Sequence, residues 1–240
     1  MAPPAAAPPD QLAAVGAEEA SPRPFDPGPS SASGVGRFTL GTALLPTPGP
    51  EAGLCREGVV VIVDDETGIG ARMADALESR GYRAVRVVSP ATPRDDDIRV
   101  IAADAGQVDE VARVASSLRD RYGSVVGLVH LAALRPGTAA IGLDPDRWRA
   151  RLAADLTSLF LLSQALQPDL ERAATRGGAA VLAATSLGGH FATGDSVGTF
   201  FPGHGGIAGY LKTLAQEWPS VRAKTVDLDA ATPDQVAAVL

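Results

Sequence analysis

A three-layer α/β/α sandwich built on a doubly wound parallel sheet is the fold predicted for this 240-residue chain, on three observations. From Gly58 onward, short apolar runs alternate with helical patterns, as in parallel strands joined by crossover helices. The first run, Val59 to Val63, is unbroken Val and Ile, the composition of a strand buried on both faces. It leads into a turn containing Gly68 and Gly70 that opens a helix.

Before that alternation the chain has another character. Eleven of its nineteen prolines fall in the first fifty residues, and residues 1–35 are rich in Ala, Pro, Ser and Gly without periodicity. Such a segment buries too little apolar surface to offset its ordering entropy. A disordered linker over 1–35 and one domain over 36–240 are therefore expected. Arg37 to Leu45 reads as a strand, broken off by Pro46, Pro48 and Pro50. After the first core strand, Gly68 to Arg80 reads as a helix closed by Gly81. Further strands are predicted at Arg83–Val88, Ile98–Ala102, Val125–His130, Ala179–Ala184 and Ala223–Leu228. Helices are predicted at Val108–Arg121, Asp144–Asp169, Gly205–Glu217 and Pro233–Leu240. The last runs into the chain end, so the domain is expected to be truncated there, without its closing strand.

Composition excludes several functions. A formal net charge of −7 disfavours a nucleic-acid footprint or a polybasic membrane anchor. One cysteine, Cys55, allows neither an intrachain disulfide nor a cysteine-based zinc site. No apolar run reaches the length of a membrane span, and no basic segment followed by an apolar core opens the chain. A cytoplasmic protein is expected. His130, His190 and His204 lack the spacing of metal ligands, so no metal is expected.

The turn after the first strand reads Val63-Asp64-Asp65-Glu66-Thr67-Gly68-Ile69-Gly70. Glycines at such a turn let backbone amides approach a phosphate at the helix N-terminus. Three consecutive carboxylates oppose that use, since one carboxylate about 4 Å from a phosphate costs on the order of 4 kcal/mol at an effective dielectric of about 20. Two readings stay open. Either Gly68 and Gly70 keep a degenerate cofactor site, with Arg72 near the phosphate, or they allow helix-on-strand packing while the acids face the helix dipole. The end of the second strand, Val87-Val88-Ser89-Pro90, lacks an acid that would bind a ribose hydroxyl.

The remaining motifs resemble the short-chain dehydrogenase/reductase superfamily. Val129-His130-Leu131-Ala132-Ala133 stands where that family has Asn-Asn-Ala-Gly, and Ile101-Ala102-Ala103-Asp104 matches its strand whose aspartate touches adenine. Trp148 to Phe160 is similar to its Trp-x-x-x-x-x-x-Asn-Leu-x-x-x-Phe, with Asp155 at the asparagine. Ala184-Thr185-Ser186-Leu187-Gly188 resembles its Ser-Ser-x-x-Gly, and Ser186 falls on the catalytic serine. The helix from Gly206 to Glu217 places Phe200 at the family's tyrosine and His204 at its lysine. No other Tyr-x-x-x-Lys exists, because none of Tyr82, Tyr122 and Tyr210 precedes Lys212 or Lys224 by four. Phenylalanine cannot act as an acid.

Within the superfamily, Gly205 to Pro219 and Val221 to Asp229 look like the structural half of the ketoreductase region of type I polyketide and polyunsaturated-fatty-acid synthases. The resemblance implies a Rossmann-like subdomain that is itself non-catalytic and binds no cofactor. Asp155, Ser186, Phe200 and His204 become vestigial positions, and Gly68 and Gly70 a vestigial cofactor turn. Its expected partners are an adjacent catalytic ketoreductase subdomain carrying NADPH, and the other synthase domains. An NADP(H)-dependent 3-ketoacyl reductase using His204 or Asp155 as its acid is the alternative. A hydrolase built on Ser186, Asp195 and His204 is a third reading, disfavoured because all three lie within nineteen residues.

Overall fold

The computed structural model describes residues 53–92, 97–136, 144–193 and 200–229. The expected strand at Arg37–Leu45, the expected helix at Pro233–Leu240 and Asp195 lie outside the described residues. The chain divides into two units, Met1–Leu40 and Gly41–Leu240, and all described residues belong to the second.

Six parallel strands form one sheet in the order β3-β2-β1-β4-β5-β6. In chain order the elements are β1 (Val59–Val63), α1 (Ile69–Ser79), β2 (Arg83–Val88), β3 (Val100–Ala102), α2 (Val108–Tyr122) and β4 (Val125–His130). Then follow α3 (Pro145–Leu152), α4 (Ser158–Ala174), β5 (Ala180–Thr185), α5 (Gly205–Glu217) and β6 (Arg222–Asp227). The order reverses between β1 and β4, and open α/β sheets bind ligands at such a point, beyond the carboxyl ends of the strands.

Two apolar layers hold the sheet. On one face Ile62, Ala84 and Ala184 pack with Ile69 and Met73 of α1. On the other, Val61, Leu128 and Val181 pack with α2 (Val114, Leu118), α4 (Leu159, Leu162, Leu166) and α5 (Ile207, Leu211). All five residues of β1 are buried, each contributing about 1.5–3 kcal/mol relative to exposure.

Local departures from the sequence reading have physical causes. The expected helix Asp144–Asp169 is instead α3, a π turn at Ala153–Thr157, and α4, which continues to Ala174 with Pro168 inside it. Pro168 is exposed, so water reaches the carbonyl its ring leaves without a donor, while Leu170 and Ala173 beyond it stay in the core. The expected strand from Ile98 begins only at Val100, since Ile98 is 72% exposed. β5 and β6 are each displaced by one residue from their expected spans.

Gly58, at the entry to β1, has φ +153°, and a Cβ there would lie 2.9 Å from the Ser124 carbonyl oxygen. Gly58→Ala is expected to cost about 1–3 kcal/mol, read as a lower urea midpoint at unchanged slope.

Candidate functional site

The turn after β1 satisfies its own anion site. Asp65 is fully buried, and its carboxylate accepts from the backbone N–H of Thr67 (2.9 Å), Ile69 (3.3 Å) and Gly70 (2.7 Å). The Thr67 hydroxyl donates to it as well. These donors surround the N-terminus of α1, where the unpaired amides and the helix dipole attract negative charge. The charge that arrives is the chain's own. Gly68, with φ +104°, supplies the left-handed turn before the helix.

Asp64, also buried, accepts from the Glu66 N–H (2.7 Å) and pairs with Arg86 Nε of the neighbouring β2 (2.5 Å). A Cβ on Gly70 would come within 2.9 Å of the Asp64 carboxyl carbon, so glycine here makes room for an internal carboxylate. Arg135, after β4, closes the turn from outside by donating to the Asp64 carbonyl oxygen (3.2 Å) and pairing with Glu66 (3.4 Å). Arg72 lies exposed on α1.

Beyond the ends of β1, β2 and β3 a cleft of about 440 Å³ remains, lined by Val63, Val88, Ser89, Asp104, Gln107 and Arg135 among others. Asp104, the expected adenine contact, accepts from the Gly106 N–H (3.0 Å) and is exposed at its rim.

The positions expected to be vestigial fall into separate environments. Asp155 sits in the π turn, 1% exposed, and its Oδ2 is shared by Arg151 Nε and His204 Nε2 (3.0 Å). His204 is 2% exposed, and its Nδ1 and the Asp155 Oδ1 are buried without partners. The Phe201 ring lies against Trp148 (centroids 4.6 Å apart) and His204 (5.5 Å), covering the pair. Phe200 is half-buried. Ser186 is exposed at the end of β5, and its hydroxyl makes only a long contact to the Ala133 carbonyl (3.4 Å). The fold thus joins Asp155 to His204 and buries both.

His130 lies fully buried at the end of β4, with Nε2 2.8 Å from the Ser158 hydroxyl. That hydroxyl donates to the Ala154 carbonyl (2.5 Å), so His130 donates from Nε2 and its Nδ1 is left bare. Burial pushes its pKa down to about 3, against the opposing pull of the Asp155 charge. Among the described residues no cluster of His, Cys, Asp and Glu could hold a metal, and no helix is long and apolar enough to cross a membrane.

Three participants escape the sequence reading. Arg86 binds Asp64 from the adjacent strand. Arg151 binds Asp155 at the i,i+4 spacing, a pairing visible in the sequence. Asp227, at the end of β6, accepts from the Thr185 hydroxyl (2.7 Å) and the N–H groups of Leu187 (2.6 Å) and Phe191 (2.8 Å). It pins a segment in which Phe191 and Ala192 both have positive φ, 51° and 56°.

A family model described as Enoyl-(Acyl carrier protein) reductase matches residues 63–233. A probable galactose dehydrogenase of Rhizobium meliloti is 26% identical over 171 residues, covering 67% of this chain and 65% of the relative, just under two thirds of its length. A granaticin polyketide synthase putative ketoacyl reductase of Streptomyces violaceoruber is 25% identical over 195 residues, covering 76% and 74%. Among solved structures, a 3-ketoacyl-(acyl-carrier-protein) reductase from Brucella melitensis complexed with NADH superposes with a TM-score of 0.60. It is 19% identical, with 72% of this chain and 76% of that chain covered.

Proposed function

Since the chain belongs to the short-chain dehydrogenase/reductase family through that match, we propose that it is a non-catalytic structural subdomain of a type I polyketide or polyunsaturated-fatty-acid synthase. In this reading it supports an adjacent catalytic ketoreductase subdomain, which carries the NADPH, and residues 1–35 are a linker within a longer cytoplasmic polypeptide. The likeness to a polyketide ketoacyl reductase supports the setting. The observation that carries the loss of function is the Asp65 carboxylate on the amides of Ile69 and Gly70. A nicotinamide dinucleotide would bring its diphosphate to those amides, and the residues present do not fit it. Phe200 in place of the proton donor, and the burial of Asp155 and His204, point the same way.

The open cleft beside Asp104 favours one other reading, an NADP(H)-dependent 3-ketoacyl reductase with His204 or Asp155 as its acid. The two are separated by mixing the protein with NADPH and an acetoacetyl thioester and following NADPH absorbance, alongside a titration of NADPH fluorescence. No turnover and no fluorescence change up to millimolar cofactor are expected. Turnover that disappears in Ser186→Ala would overturn the structural assignment.

A further inference from the structure

We infer that the pole of the sheet opposite the cleft is a docking surface for an acidic polypeptide segment of a partner protein. At the N-terminal ends of β1, β2 and β5, two adjoining clefts of about 270 and 420 Å³ share Cys55, Glu57 and Arg176 in their walls. Arg83 and Arg172 line the first and Arg56 the second. Four guanidinium groups and one carboxylate therefore border a continuous groove, on a chain whose formal net charge is −7. The local sign is inverted.

Two of these arginines are held in place by aromatic rings. The Arg56 guanidinium lies 4.1 Å from the centre of the Tyr82 ring and donates to the Arg80 carbonyl (2.5 Å). Arg83 lies 5.5 Å from the centre of Tyr122 and donates to the Gly58 carbonyl (3.1 Å). Stacking and carbonyl bonds fix the forks without neutralising them, and a fixed fork loses little entropy when it takes a carboxylate. Arg172 shares the single buried carboxylate of Asp169 with Arg119, so positive charge remains in surplus. Arg56, Arg83 and Arg176 have no carboxylate partner among the described residues.

The C-termini of α1, α2 and α4 also lie at this pole, and their dipoles draw cations. Arg119 and Arg121 in the last turn of α2, and Arg172 in that of α4, answer that demand within their own helices. Arg56 and Arg83 reach the same pole from other segments, donating to the carbonyls of Arg80 at the end of α1 and of Tyr122 at the end of α2 (3.5 Å), and these neutral acceptors leave their charge uncompensated. Guanidinium forks spaced along a groove match the separated carboxylates of a polypeptide. The denser charge of a nucleic acid would also meet the negative field of the whole chain.

Fluorescence anisotropy of a labelled decaglutamate peptide titrated with the full chain at low ionic strength provides the test. Binding that weakens with added salt is expected. Arg176→Glu should weaken it about tenfold, whereas Arg149→Glu, the same charge change on the exposed surface of α3, should leave it within about twofold. Among the described residues the exposed Arg176 side chain makes no hydrogen bond or ion pair, so its replacement separates docking from folding. Absence of binding, equal losses in the two variants, or tighter binding of tripolyphosphate than of the peptide would each overturn the assignment.

Discussion

Restoring the catalytic pair alone, as Phe200→Tyr with His204→Lys, should leave the protein without reductase activity. In the proposed function the obstacle to cofactor binding lies earlier, at the phosphate turn. Asp65 already fills the N-terminus of α1 with three backbone donors, so a diphosphate would have to displace an internal carboxylate or sit beside it. At about 4 Å and an effective dielectric of about 20 the second arrangement costs on the order of 4 kcal/mol, which is about a thousandfold in Kd. Asp64 contributes less, because Arg86 already neutralises it. Asp65→Ala should therefore raise NADPH affinity by up to about three orders of magnitude, while costing about 1–3 kcal/mol of stability for the backbone N–H groups of Thr67, Ile69 and Gly70 that lose their acceptor. Cofactor fluorescence, titrated on the parent, the Phe200/His204 pair variant, Asp65→Ala and their combination, reads both effects. Tight binding by the parent, or no gain in Asp65→Ala, would sink the argument.

This explains why the site was only partly legible in the sequence. Three acids before Gly68 announced that a phosphate would be repelled, which is a matter of sign and needs no coordinates. They did not announce that Asp65 would turn back onto the amides of Ile69 and Gly70, nor that Asp64 would cross to Arg86. Those choices depend on the register between β1 and β2, which sets Ile62 against Arg86. Likewise Asp155 and His204 were each recognisable as replacements, but their pairing spans 49 residues. No local periodicity encodes a contact at that separation.

The fold itself was more legible, because its signals are local and repeated. The unbroken Val/Ile run of β1 could only be a strand covered on both faces, and both faces are covered. The alternation of such runs with helical patterns pointed to a parallel, doubly wound sheet, which is what forms. The helix expected to end at Asp169 continues to Ala174, because Leu170 and Ala173 are core residues whose burial carries α4 onward.

His130 should make the protein acid-sensitive in a defined window. Its neutrality is a balance of two opposing effects: full burial disfavours the imidazolium, and the nearby Asp155 charge favours it. Burial is the larger effect, and the Arg135 charge acts with it against Asp155. In the unfolded chain the same histidine titrates near 6.5, whereas in the fold it stays neutral down to about 3. Between those values the unfolded state binds one more proton than the native state, so stability falls as pH falls, by about 1.4 kcal/mol per pH unit. From pH 7 to pH 5 that amounts to about 2 kcal/mol from this one residue. His130→Gln keeps an N–H donor for the Ser158 hydroxyl and removes the titration. Urea unfolding of both proteins at the two pH values should show the parent losing about 2 kcal/mol more than the variant. Equal losses would mean that the His130 ring takes up its proton in the fold as readily as in the unfolded chain. The buried contacts of β4 with the π turn would then have to open on protonation, exposing Asp155 and His204 together.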